Sequence, residues 1–178
     1  MTSRASLIDS THSLLNAITT NSPITTITST FTSSPEPLIH EHGLQQLAPF
    51  LGRTFTGADG ISQYFDILSQ FLEINSMDFE PDSEWIVDES TMCVCLRGAA
   101  TFIWKENNNS WDETFVYRIK LAKEDSGAKK GQLLVSEYKV WADTGAAYLA
   151  RIGRLGDDGN SGRLSLLGGG LNVYGSCG

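Results

Sequence analysis

The sequence predicts an α+β protein in which helices come first and a run of antiparallel strands follows. Two observations carry this prediction: apolar residues recur at helical spacing up to about residue 74, and at alternate positions from about residue 76 to residue 142. Consecutive strands without intervening helices pair mainly antiparallel, and the helices then cover one face of the sheet. At 178 residues, the chain has the size of one compact domain.

Three helices are predicted in the N-terminal part of the chain. The first covers residues 4–20, where apolar side chains share one face, and Ser22 and Pro23 then begin a short second helix. A short strand at 38–42 precedes the third helix, which we place at about 58–74. The apolar stripe of this third helix consists of Ile61, Tyr64, Phe65, Leu68, Phe71 and Leu72.

The strands are predicted from alternation of apolar and polar residues. They lie at about 76–79, 85–87, 91–104, 111–121 and 133–142. Gly98 predicts a bulge or bend within its strand, and the KENNNS segment at 105–110 predicts a hairpin turn. A final helix begins near Thr144.

Two segments carry a resemblance to a known family. The strand-to-helix segment SEYKVWADTGAAYLAR at 136–151 and the helix start GADGISQYF after PFLGRTFTG resemble the nuclear transport factor 2-like superfamily, in particular SnoaL-like proteins of fungal type. The resemblance covers about residues 5–151. It implies a cone, in which a curved antiparallel sheet wraps over the N-terminal helices, with a pocket at the open end and a homodimer formed through the outer sheet surface. This superfamily includes polyketide cyclases, ketosteroid isomerases, scytalone dehydratase, meroterpenoid isomerases and non-catalytic members, so the fold alone does not define a reaction.

We expect a SnoaL-like cone domain at residues 1–152 and a glycine-rich, mobile C-terminal tail at 153–178. The formal net charge of -8 and the pI near 4.8 argue against binding to nucleic acid or to an anionic membrane. No apolar run approaches the roughly 20 residues of a membrane span, and the N-terminus lacks the apolar core of a secretory signal. We therefore expect a cytoplasmic protein.

Glu113 is the first candidate for catalysis. It lies between Trp111 and Phe115 on the apolar face of its predicted strand. A carboxyl group held against aromatic rings gains proton affinity, which suits a general acid or base near neutral pH. Two alternatives stay open: Glu113 lies in water beside the KENNNS turn, or it forms an ion pair with Arg97.

His40 and Asp143 are further candidates. His40 and His42 share one face of their short strand, with Glu41 opposite. The pair suits proton transfer, substrate orientation or structural hydrogen bonds, and it suits a metal only with a third ligand that the sequence does not mark. Asp143 ends the last strand before a helix, so its first interpretation is an N-cap. By analogy with SnoaL-like enzymes that use an acid as base, Asp143 is also a catalytic candidate.

Substrate contacts are expected from large side chains on the elements that surround the cone. The candidates are Tyr64, Phe65, Arg97, Trp104, Tyr117 and Trp141. Trp141 shares a strand face with Lys139 and Glu137, so that face is mixed, and the sequence leaves open which face of the strand points inward. Arg97 suits an acidic substrate group, and Tyr117 or Arg97 suits a developing oxyanion.

These residues lead to a functional hypothesis: the pocket binds a small apolar molecule of polyketide or terpenoid type, and catalysis, if present, is isomerisation, cyclisation or dehydration by proton transfer. The alternative is a non-catalytic ligand-binding or dimerisation module of the same fold. No cofactor or metal is expected, because GGG at 168–170 lacks the context of a phosphate loop and the pair Cys93 and Cys95 lacks a second pair of ligands.

Overall fold

The computed structural model of the chain describes residues 2–155, so most of the predicted glycine-rich tail lies outside the described residues. Four α-helices and seven strands occur in this described range. In chain order they are α1 (Arg4–Thr19), α2 (Ile24–Thr28), β1 (Leu38–Glu41), β2 (Thr54–Thr56), α3 (Gly57–Phe71), β3 (Leu72–Phe79), β4 (Ile86–Asp88), β5 (Cys93–Trp104), β6 (Asn109–Lys123), β7 (Leu133–Trp141) and α4 (Thr144–Arg151).

The helices agree closely with the predicted ones. Helix α1 begins with a capping box, in which the Ser3 side chain accepts a hydrogen bond from the Ser6 backbone and Ser6 reciprocates. Helix α3 ends at Phe71, three residues before the predicted end, because Leu72 adopts an extended conformation and pairs with Trp104 in the sheet. None of the helices within residues 2–155 has the length and apolarity that a membrane crossing requires.

The seven strands form one sheet in the order β2-β1-β7-β6-β5-β3, with β4 also paired to β5. All pairs are antiparallel except β1 and β7, which run parallel. The prediction of an antiparallel sheet is therefore wrong for this one pair. Because about 90 residues separate β1 from β7, no hairpin constrains the direction in which they meet.

Gly98 does not form the predicted bulge. The pairing of β5 with β6 runs without a shift past Gly98, which lies opposite Phe115. An added Cβ at this position would lie 2.9 Å from Phe79 Cδ1 and still closer to the Phe115 ring. Glycine therefore makes room for two aromatic rings that lie over the strand.

Strand β6 connects the packed core to the site. Its side chains alternate between the buried inner face and the exposed outer face, as predicted. Ile119 and Leu121, toward its end, are fully buried in the core. Phe115 and Tyr117, which precede them on the same face, line a cavity instead.

Helix α4 closes one side of this cavity and is held at both ends. Asp143 accepts hydrogen bonds at Oδ1 from the Gly145 and Ala146 backbone, at 3.0 and 3.1 Å, which confirms the predicted N-cap. At the other end, the side chains of Asn107 and Asn109 donate to the Ala150 carbonyl oxygen. The β5–β6 turn therefore caps the last turn of α4.

Candidate active site

A cavity of about 440 Å³ lies between the inner face of the sheet, α3 and α4. This volume is within the range of small-molecule sites. Its walls are mainly aliphatic and aromatic, and a few polar groups project among them. The apolar lining includes Ile27, Phe50, Leu51, Phe65, Leu68, Leu72, Met77, Phe102, Trp111, Phe115 and Val140.

Glu41 is the most deeply buried acid of the cavity, with 7% of its surface exposed. The Tyr64 hydroxyl donates a hydrogen bond of 2.6 Å to Glu41 Oε2. Burial raises the pKa of Glu41 from 4.5 to about 7; the Tyr64 hydrogen bond opposes this rise and the charge of Glu113 adds to it. Glu41 therefore exchanges its proton near neutral pH.

Three tyrosines surround Glu41. The Tyr138 ring meets the Tyr117 ring edge-on at 4.9 Å and the Tyr64 ring edge-on at 6.5 Å. Burial raises the pKa of Tyr64, Tyr117 and Tyr138, and the charge of Glu41 adds to the rise in each; for Tyr117 a hydrogen bond with Tyr138 opposes it. Each hydroxyl therefore keeps its proton near neutral pH, and the Tyr64 proton is already donated to Glu41.

Glu113 lies on the inner face of β6, as predicted, and is half-buried. Trp111 Nε1 donates a hydrogen bond of 2.7 Å to its Oε2. Burial raises the pKa of Glu113 from 4.5 to about 7; the Trp111 hydrogen bond opposes this rise and the Asp143 carboxylate adds to it. Glu113 is therefore not the solvent-exposed side chain with an ordinary pKa that the first alternative describes.

The two glutamates approach the cavity from different strands. Glu41 lies opposite Val140 of β7, which lies opposite Tyr117 of β6, and Glu113 precedes Tyr117 by four residues. At about 3.3 Å per strand residue, these two rows are about 13 Å apart along the sheet. Both side chains line the same cavity, and the charge of Glu113 acts on Glu41.

Five of the predicted site residues line this cavity: Tyr64, Phe65, Glu113, Tyr117 and Asp143. They come from α3, β6 and the start of α4, so the fold brings together residues that are far apart in the chain. Asp143 caps α4, as predicted, and it also contributes to the cavity wall.

His40 and Trp141 lie on the opposite side of the sheet. Because Glu41 faces the cavity, its neighbour His40 faces outward, where its Nδ1 lies 3.0 Å from Thr54 Oγ1. Trp141 pairs with Val116 on the same outer face and is 41% exposed. The expectation that these two residues face the pocket is therefore corrected.

Arg97 and Trp104 also lie away from the cavity lining. Arg97 Nε donates to Glu80 Oε2 at 3.0 Å, so its ion-pair partner is Glu80 and not Glu113. Trp104 is buried and stacks on Phe71 at 5.5 Å, which makes it part of the core that supports α3.

Glu41 is the site residue that the sequence interpretation missed. It follows Ile39 at a spacing of two, and both residues are buried on the inner face of β1. An acid on the apolar face of a strand is the same signal that identified Glu113. For metals, residues 2–155 contain no cluster of three His, Cys, Asp or Glu side chains suited to hold an ion.

The fold and the site define a class: an α+β cone with a ligand-sized cavity lined by apolar groups and acids. Solved structures with the same architecture include an NTF2-like protein from Burkholderia xenovorans, with a TM-score of 0.61, 16% identity and coverage of 84% of this chain and 98% of that one. BvnE pinacolase from Penicillium brevicompactum has a TM-score of 0.57, 15% identity and coverage of 84% and 93%. A ketosteroid isomerase-like protein from Erwinia carotovora atroseptica has a TM-score of 0.56, 14% identity and coverage of 78% and 95%.

The chain has the NTF2-like fold, as the sequence resemblance predicted. Comparison with protein-family models and with curated protein sequences gives no match. At these low identities the likeness defines the architecture, and the chemistry must be argued from the residues of the cavity.

Proposed function

We propose that this protein is a cofactor-independent enzyme that isomerises, cyclises or dehydrates an apolar molecule of polyketide or terpenoid type by proton transfer. One observation carries the proposal: two carboxyl groups, Glu41 and Glu113, both have pKa values of about 7 within one apolar cavity. Acids poised near neutral pH can both give and take protons in one catalytic cycle.

The environments of the two acids suggest different roles. Glu113 is less buried, and its hydrogen bond from Trp111 favours the ionised form, so we assign it as the base. Glu41 is more deeply buried, and a charged Glu113 favours its protonated form, so we assign it as the acid.

Tyr117 supports such a step as a hydrogen-bond donor. Its buried hydroxyl retains its proton, and its position on β6 lies in the same row of the sheet as Glu41, four residues after Glu113. In the proposed reaction, Glu113 removes a proton from the carbon beside a carbonyl, and the electron pair moves to the carbonyl oxygen, where Tyr117 donates a hydrogen bond. Glu41 then protonates another carbon or a departing hydroxyl group, and solvent returns the acids to their starting states.

Structural neighbours support this proposal by analogy only. A ketosteroid isomerase-like protein and a pinacolase share the fold, and an isomerase is named among the proposed activities. We also propose that the protein is a homodimer and that it is located in the cytoplasm. Light scattering would test the first statement, and cell fractionation would test the second.

The test is proton transfer to a panel of cyclic β,γ-unsaturated ketones and polyketide-like ketones in deuterated water. Isomerisation appears as ultraviolet absorbance of the conjugated product, and exchange appears as deuterium gain by mass spectrometry. Glu113→Gln should slow either reaction by about 10²-fold to 10⁴-fold. Asp112→Asn, an exposed position on the outer face of the same strand, is the matched control.

Equal rates for Glu113→Gln and for the native protein would contradict the assignment of the base. Ligand binding without exchange or conversion of any panel member would favour the alternative, a non-catalytic binding module of the same fold.

A further inference from the structure

We infer that the cavity selects a ligand that carries a positively charged nitrogen on an apolar skeleton. This inference deepens the proposed function and rests on the same site. It starts from the balance of charges around the cavity and from the faces of its aromatic rings.

Acids outnumber bases in the cavity lining. Within residues 2–155, the charged residues of the lining are five acids and one base: Glu41, Asp66, Glu73, Glu113, Asp143 and Lys105. Lys105 is exposed, and its Nζ donates to the Ser69 carbonyl oxygen at 2.6 Å. The single ammonium group is thus engaged at the rim.

Glu41 and Glu113 have no cationic partner in the described part of the chain. Every salt bridge there joins other residues, with Glu80, Glu84, Asp82 and Glu137 as the acids. Glu41 and Glu113 instead accept hydrogen bonds from Tyr64 and Trp111, which are neutral donors. A buried carboxyl group without a cationic partner is held in its protonated form, and a cationic ligand would pair with its ionised form.

Aromatic rings provide a second attraction for a cation. Phe115 and Tyr117 stack at 4.6 Å, Tyr138 meets Tyr117 at a right angle, and all three residues line the cavity that contains the acids. The face of an aromatic ring attracts ammonium groups, most strongly where water is excluded. Rings and carboxylates together favour a cation, and the same carboxylates repel an anion.

The binding test uses three probes with one naphthalene skeleton: naphthalen-2-ylmethyl-trimethylammonium, naphthalen-2-ylmethanol and naphthalene-2-carboxylate. Affinity is measured by calorimetry and by the fluorescence of the native protein. The ammonium probe should bind about ten-fold more tightly than the alcohol, with the carboxylate weakest. Equal or tighter binding of the alcohol would overturn the inference, and so would a failure of the ammonium probe to bind.

Proton release provides a second measurement that needs no variant. The ammonium probe has a permanent charge, so protons released on its binding come from the protein. Calorimetry in buffers of different ionisation enthalpy should detect this release, because a nearby cation favours the ionised carboxylates. Proton uptake on binding would count against the inference.

Variants then locate the effect. Glu41→Gln and Glu113→Gln should each reduce the preference for the ammonium probe several-fold, whereas Glu89→Gln, in the exposed turn after β4, removes one charge far from the lining and should leave it unchanged. Loss of the preference in Glu89→Gln as well would overturn the assignment to this cavity.

The two proposals fail separately. Glu113-dependent exchange without ammonium preference would leave the proposed function standing and remove this inference. A preference for the ammonium probe without turnover of any panel member would support this inference and contradict the proposed function.

Discussion

The Tyr64 hydroxyl donates a 2.6 Å hydrogen bond to Glu41 in the protein interior, and this bond links α3 to β1. Its partners are 23 residues apart in the chain and both are almost completely buried. The bond therefore has a structural and an electrostatic role: it satisfies a carboxyl group that water does not reach, and it moderates the proton affinity of that group.

Tyr64→Phe should separate these two roles. Loss of the donor leaves the Glu41 carboxyl less satisfied, so the free energy of unfolding should fall by about 1–3 kcal/mol. The pKa of Glu41 should rise further, because this hydrogen bond lowers it in the native protein. Urea denaturation and NMR titration with ¹³C-labelled glutamate measure the two effects. A stable variant with an unchanged Glu41 titration would contradict the assigned bond.

Glu41→Gln should alter the dependence of stability on pH. The folded state holds the Glu41 proton up to about pH 7, whereas the unfolded chain releases it near 4.5, so this group makes the native protein less stable as pH rises through that interval. The pKa difference corresponds to about 3 kcal/mol in total.

Glutamine is neutral and can still accept the Tyr64 hydrogen bond, so the variant should gain stability relative to the native protein as pH rises from about 4.5 to about 7. Denaturation curves at several pH values give this difference, in which groups common to both proteins cancel. A stability difference that stays constant with pH would show that the pKa of Glu41 is not raised in the folded protein.

Two substitutions at Asp143 should separate its cap from its charge. Asn is an equally good N-cap, so Asp143→Asn should retain stability, whereas Asp143→Ala should lose about 1 kcal/mol. Both variants remove a charge that adds to the raised pKa of Glu113, so that pKa should fall in both. Thermal unfolding and glutamate titration measure these outcomes. An Asn variant as unstable as the Ala variant would contradict the capping role.

Gly98→Ala should destabilise the protein by about 1–3 kcal/mol, because the added methyl group collides with the Phe79 and Phe115 rings. Phe115 lines the cavity, so its displacement should also weaken ligand binding. The double variant with Phe115→Leu should recover part of the lost stability relative to the sum of the single variants. Additive losses in this double-mutant cycle would show that the two residues do not compete for space.

The sequence predicted the chemistry on β6 better than the chemistry on β1. Along β6, alternation extends over many residues and places Glu113 unambiguously beside Trp111 and Phe115. Strand β1 has only four residues, and its inward face depends on the parallel pairing with β7. Without that long-range pairing, the histidines flanking Glu41 were the more prominent chemical signal.

Arg97 and Trp141 illustrate the same limit. Local alternation shows that residues of one strand share a face, but the choice between the inner and outer face comes from packing against distant elements. For Arg97 the deciding partner is Glu80, just after β3, which binds its backbone and side chain. No spacing within the β5 sequence encodes that contact.

The capping of α4 by the β5–β6 turn has a consequence for how a ligand reaches the cavity. Asn107 and Asn109 hold the Ala150 carbonyl oxygen, and Arg151 binds the Gln46 and Leu47 carbonyl oxygens, so this wall cannot swing away without breaking several bonds at once. The cavity lining also includes small polar residues at the end of α1 and in the connection to α2: Thr19, Asn21 and Ser22. We therefore expect a ligand to enter and leave on a side of the cavity that α4 does not close, with α4 as a fixed wall.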